Sequence, residues 1–270
     1  VQIYSRSSVA REEVILRITV LSGLPCYLES AVRNGHLRIA QERGAVEIGV
    51  VNLRDFAEDS YRTIDDEPYG GGSGMVLKVE PVWGALETLG VVSEGSEEEG
   101  EDEKRNVEKP WVVLPTPKGA RLTQRDFVRL SAKEHIVFLC SRYKGIDERI
   151  REWVDEELSI GDYVIGGGEA AALVMMEGIT RLLAGVVGTK ESVETDSFTC
   201  GLLSAPTYTR PEEFMGKRVP TVLLSGHHEE VRRWRRKQAL ALTLARRPDL
   251  LAELRLDDED QMLLSEVLGE

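Results

Sequence analysis

The sequence is poor in the residues that build metal sites and covalent cross-links, with 3 cysteines and 4 histidines in 270 residues. Cys26, Cys140 and Cys200 are odd in number, far apart and without a C-x-x-C pair, which excludes a disulfide framework and a zinc site of ordinary spacing. A reducing cytoplasm fits this usage. His36, His135, His227 and His228 lack metal-ligand spacing and read as surface or capping residues. No apolar run approaches the ~18–20 residues that span a bilayer, so no membrane partner is expected. Residues 1–13 carry no signal-peptide apolar core and read as a frayed end or the remnant of an organelle-targeting segment. The nucleotide fingerprints G-x-x-x-x-G-K-[ST] and G-x-G-x-x-G (opening a helix after a strand) are missing, as is any internal repeat.

What is present is an ordinary globular composition, 41% apolar and 30% charged, with a formal net charge of -13. That total argues at first against a nucleic-acid partner. The acid is concentrated, however, in 94–108 (EGSEEEGEDEKRNVE), which reads as a solvated loop within 91–109. Arg232, Arg233, Arg235, Arg236 and Lys237 form a basic cluster around Trp234. A phosphate backbone meets local charge, so the total decides little.

From Val14 to about residue 186, short apolar runs alternate with helical stretches, the pattern of an α/β domain. VILRITVL (14–21) predicts a strand and the following stretch a helix to about Gly44. VEIGVVNL (46–53), WVVLP (111–115) and IVFLC (136–140) predict further strands. PVWGALETLG (81–90) predicts a helix with Pro81 in its first turn. SIGDYVIGGGE (159–169) predicts a short strand and a glycine turn that opens a long apolar helix over 170–183. The polar stretch 187–200 reads as a linker, and 201–270 as a small, mainly helical domain.

Three predicted strand ends run into glycine- or proline-bearing turns: PTPKG (115–119), SRYKGID (141–147) and IGDYVIGGGE (160–169). Ligands of parallel sheets bind at the carboxyl ends of strands, and glycine lets backbone approach them closely. Three such turns in one domain favour a nucleotide-like cofactor held by backbone groups. A fourth glycine run, DDEPYGGGSGM (65–75), is a plausible substrate-contacting loop, and nearby Arg54, Arg62 and Tyr69 could contact RNA or lie solvated on the surface.

RTIDDEPYGGGSGM, RYKGIDER, SIGDYVIGGGE, ETDSF, APTYTRPEE and VPTVLLSGHHEEVRRWRRKQAL, in this order, resemble the bacterial tRNA (guanine-37-N1)-methyltransferases. The resemblance covers about residues 14–255. It implies a SPOUT-type α/β domain, a parallel sheet ending in a deep trefoil knot, followed by the small helical domain that binds tRNA. It also implies a homodimer with the active site at the subunit interface, S-adenosyl-L-methionine as methyl donor, and Mg²⁺ dependence, although no carboxylate cage for Mg²⁺ is legible. Carried over position by position, the catalytic residues are Asp196, as the base that takes the N1 proton, and Arg181, which stabilises charge on guanine O6. On the isolated sequence Asp196 reads first as a helix cap and Arg181 as the polar face of a helix, and the resemblance reverses both readings. The cofactor residues are Leu114, Pro115, Thr116, Pro117, Ser141, Tyr143, Lys144, Gly145, Ile160, Gly161, Tyr163, Ile165, Gly167, Gly168 and Ala171. The tRNA-binding set is Arg54, Arg62 and Tyr69 with the 232–237 cluster.

The chain departs from the family pattern where relatives have Gly-Arg-Tyr-Glu-Gly and it has Ser141-Arg142-Tyr143-Lys144-Gly145. Lys118 also replaces a usual glutamine. A lysine ~6 Å from a cationic ligand costs about 3 kcal/mol at an effective dielectric of 20, roughly a hundredfold in affinity. An alternative is therefore a tRNA-binding paralogue with weak or lost cofactor binding. An unrelated nucleotide-dependent enzyme or acidic scaffold protein would bind no tRNA.

Overall fold

The structure is a computed structural model that describes residues 15–93, 109–187 and 195–269. The predicted N-terminal extension, most of the acidic loop and half of the linker lie outside these residues. The chain divides into two compact units, Val1–Val187 and Gly188–Glu270.

The first unit is built on a parallel sheet of β1 (Leu16–Ser22), β2 (Val46–Asn52), β5 (Trp111–Arg121), β6 (His135–Leu139) and β7 (Glu156–Ser159), in the order β2-β1-β6-β5-β7. The run HIVFL is buried at every position because β6 lies inside the sheet and both faces are covered. Ile136 and Phe138 join Met175, Met176 and Ile179 of α5 (Gly168–Thr180), together with Leu28 of α1 (Pro25–Val32) and Leu37 of α2 (Gly35–Glu42). Val137 and Leu139 join Val82 and Leu86 of α3 (Val79–Thr88) on the other face, with Ile150 of the 3-10 turn Glu148–Trp153. This alternation is the period of two that a strand imposes on its side chains. The helix α4 (Gln124–Ser131) is started by a capping box between Thr123 and Asp126 and adds Leu130 to the α5 side.

Four readings of the sequence are corrected. The single helix expected to Gly44 is two, because the chain turns at Asn34 and Gly35 takes φ +57°. The β5 strand does not end at Pro115. It bulges over 116–119 and returns to β7, pairing Pro115 and then Ala120 with Leu158. The third strand precedes the glycine turn, at Glu156–Ser159, since the pairing partner is β5 and the chain leaves the sheet at Ile160. His135 is a buried residue of β6, bonded through Nε2 to Thr19 Oγ1 at 2.9 Å, because sheet position rather than neighbouring polarity decides its exposure.

The second unit packs α6 (His228–Arg246), α7 (Pro248–Glu253) and α8 (Asp258–Leu268) around Leu202, Ala239, Leu240 and Leu263. The stretch before α6 is less helical than its composition suggests. It holds the antiparallel pair β8 (Glu213–Phe214) and β9 (Lys217–Arg218) and a 3-10 turn at Thr221–Leu224. The remaining strands, β3 (Asp65–Asp66) and β4 (Val76–Leu77), pair in the first unit and bracket the glycine run. Among the described residues no helix is long and apolar enough to cross a membrane.

Candidate active site

The bulge of β5 and the loops after β6 and β7 open into one cleft. All fifteen residues expected to hold a cofactor line it. Leu114 to Pro117 come from β5 and its bulge, and Ser141, Tyr143, Lys144 and Gly145 from the loop after β6. Ile160, Gly161, Tyr163, Ile165 and Gly167 come from the loop after β7, with Gly168 and Ala171 from the start of α5.

Close backbone contacts hold the three loops together. A Cβ on Gly119 would collide with the Glu157–Leu158 peptide, coming within 2.5 Å of Leu158 N, so only glycine lets the bulge close on β7. Gly168 N donates to Ser141 O at 2.8 Å, and Arg142 pairs with Gly167 as an isolated bridge, which ties the start of α5 to the loop after β6. Leu114, Ile160, Ile165 and Tyr163 supply apolar wall beside these peptides.

One buried polar network beneath the cleft was not legible in the sequence. Glu169 is 1% exposed and accepts from Ser22 Oγ at 2.8 Å and from Arg142 Nη1 at 3.2 Å. Burial and the Glu169 charge push the neighbouring Cys140 thiol well above its ordinary pKa, which keeps it protonated and inert. The only local signal was a glutamate in the first turn of a predicted helix, which the helix dipole explains without any partner.

Arg151 also reaches the cleft but is paired with Glu148 at 2.8 Å and Glu157 at 2.7 Å. Lys118 and Lys144 line the cleft with no ion-pair partner among the described residues. Lys144 is exposed, and its stem lies against Gly74, where a Cβ would sit 2.9 Å from Lys144 Cγ. Gly74 thus makes room for this lysine.

Arg181 caps the C-terminus of α5, half-buried, in the first unit. Asp196 is half-buried in the second, in a turn where its carbonyl accepts from Thr199 N at 3.3 Å. Residues 195–200 form turns, so the helix-cap reading of Asp196 has no helix to serve. Arg54 donates to Arg62 O at 2.9 Å and lines a smaller pocket with Asp65, Arg142 and Tyr143. Arg62 pairs with Asp55 at 3.2 Å, and Tyr69 is fully exposed. In the basic cluster, Arg232 is bonded to Glu229 and Glu259, Arg233 and Lys237 to Glu266, and Arg236 to the buried Asp260. Among the described residues no group of three or more His, Cys, Asp or Glu could hold a metal ion.

A family model described as tRNA (guanine-1)-methyltransferase TrmD matches residues 16–253. The chain belongs to this methyltransferase family. It is 45% identical over 253 residues to the tRNA (guanine-N(1)-)-methyltransferase of Halalkalibacterium halodurans, covering 93% of this chain and 98% of that one. The proteins of the same description from Frankia alni and Dictyoglomus turgidum are 47% and 44% identical, covering 94% and 95% of this chain and 92% and 98% of their own. The cleft and both catalytic candidates fall within the matched span of the methyltransferase family.

Proposed function

We propose that this protein methylates N1 of guanosine 37 in tRNA, with S-adenosyl-L-methionine bound in the cleft. The observation that carries the reading is the convergence of the β5 bulge and the loops after β6 and β7 on one cleft in a chain of this family. The donor set suits such a ligand, since apolar side chains and close-packed peptides form the walls, and Gly119 and Gly168, without a Cβ, let those peptides pack against one another. When bound, the ligand supplies an electrophilic methyl group on a sulfonium. The side chains of Leu114, Ile160 and Ile165 exclude water from the bound adenosine, and the peptides of residues 141–145 and 160–168 supply its polar partners.

At neutral pH guanine N1 carries a proton and is a poor nucleophile. The Asp196 carboxylate would take that proton, freeing the N1 electron pair for the methyl group that the bound sulfonium would supply. Charge then grows on O6, where Arg181 stabilises it. With Arg181 in one unit and Asp196 in the other, we propose that two copies pair and build each site together. The bulge of β5 and the loops after β6 and β7 are those of a SPOUT-type trefoil knot in this reading. Its support is β7, which pairs with β5 although it follows β6 in the chain. Residues 201–270 act as the tRNA-binding domain, in the cytoplasm where tRNA is modified. Among the described residues no cluster of side chains suits a Mg²⁺ cage, and no step is assigned to Mg²⁺.

Label from S-adenosyl-L-methionine should enter a tRNA transcript with guanosine at position 37 and not the same transcript with adenosine there. The Asp196→Ala variant should lose at least about 10²-fold in transfer while binding the cofactor normally. Normal turnover by that variant would overturn the base assignment. Lys118 and Lys144 favour a second reading, an RNA-binding paralogue of weak cofactor affinity. Titration of the cofactor into the wild-type protein separates the two.

A further inference from the structure

The five cations of residues 232–237 are not equivalent. Arg236 clamps α6 to α8, donating from Nε and Nη2 to the two oxygens of Asp260 at 2.6 Å each, and Asp260 is buried. Glu229 and Glu259 hold the Arg232 guanidinium, raising its pKa further by direct hydrogen bonds. Glu266 holds both Arg233 and Lys237. Four of the five charges are therefore offset by a carboxylate within bonding distance, and an approaching phosphate would compete with each.

Arg235 alone of the five has no ion-pair partner among the described residues. The helical period turns it to another face, where it lines a groove with Tyr208, Arg210, Leu223 and Leu224. Arg210 likewise has no ion-pair partner among the described residues and is exposed. The Tyr208 ring, half exposed, rests against Trp234 with centroids 6.3 Å apart and is presented beside the two guanidiniums. Glu212 is the one acid in the groove, leaving a local excess of positive charge in a chain whose total is -13.

We infer that this groove grips the tRNA phosphodiester backbone through Arg210 and Arg235, with Tyr208 against the adjoining sugar, while the other four cations join α6 to its acidic neighbours. The inference rests on the tRNA-methylating reading above and locates the grip within the second unit. Two uncompensated guanidiniums suit phosphate oxygens, and a neighbouring aromatic edge and the hydroxyls of Thr207 and Thr209 suit a ribose with its 2′-hydroxyl.

The test is the salt dependence of binding of the full-length protein to a tRNA transcript carrying guanosine 37. Arg210→Ala and Arg235→Ala should each weaken binding about tenfold near 0.1 M salt and lower the slope of log affinity against log salt by about 1. Arg235→Lys should keep the slope, and Arg233→Ala, whose charge is already taken by Glu266, should leave it unchanged. Glu212→Gln should tighten binding. Methyl transfer should follow in KM with kcat retained. Unchanged slopes for both alanine variants, or a slope lost with Arg233→Ala instead, would overturn the inference while leaving the function intact. A wild-type protein that binds no tRNA would overturn the function itself.

Discussion

His135 illustrates how a residue's chemistry is set by where the backbone puts it. Its ring is buried in β6 beside Thr19, and burial with the nearby Arg17 charge lowers its pKa from 6.5 to about 4. The folded protein therefore holds it neutral. As pH falls below about 6.5 the unfolded chain takes up the proton first, and stability is lost until the folded pKa near 4 is reached. The loss is on the order of 2–3 kcal/mol over that window and none of it arises above it. Chemical denaturation of wild type and His135→Gln at several pH values should show a shallower acid slope in the variant. Equal slopes would mean the ring is hydrated. Asp196 and Arg181 behave differently, since neither carries a structural feature that marks it as catalytic. Their roles come from family position alone, which is why the transfer assay on Asp196→Ala matters.

At the scale of elements, the cleft depends on how β5 passes β7. A strand ending at Pro115 would leave residues 116–119 as an ordinary loop. Instead the chain bulges and pairs again at Ala120, and Gly119 lies against the Glu157–Leu158 peptide with no room for a Cβ. Gly119→Ala should destabilise the protein by at least about 2 kcal/mol, because backbone on both sides must shift. Cofactor affinity should fall with it, as the bulge carries Thr116 and Pro117 into the cleft. A variant with unchanged unfolding midpoint and affinity would show that the bulge is softer than its contacts imply. Four of the five sheet strands were legible as apolar runs, and β7, with the sequence EELS, was not. The bulge was not, because prolines and a glycine at 115–119 are equally good signals for an ending.

For the whole molecule, a ligand that binds the folded chain and not the unfolded one stabilises it by mass action. S-adenosyl-L-methionine at about 100 times its dissociation constant should add about 2.7 kcal/mol of stability. Hydrogen exchange should slow chiefly in the β5 bulge and the loops after β6 and β7 of Val1–Val187. Protection confined to Gly188–Glu270 would move the cofactor site out of the cleft.

The amino-acid sequence by itself determined the α/β class, four of the five parallel-sheet strands and the membership of the methyltransferase family. Apolar periodicity and ordered motifs are local properties and survive without coordinates. It also named fifteen of the residues that line the cleft, through motif resemblance rather than through any physical signal in Ile160 or Ala171. Tertiary structure alone decided which charges are free. Arg232, Arg233, Arg236 and Lys237 look identical to Arg235 along the chain, and only the packing of α8 against α6 brings Glu259, Asp260 and Glu266 to four of them and none to the fifth. Glu169 met Ser22 and Arg142 for the same reason, since residues 147 and 27 positions apart become neighbours only when strands pair. Ion pairs of long sequence separation carry no local pattern, so their partners are settled by the fold.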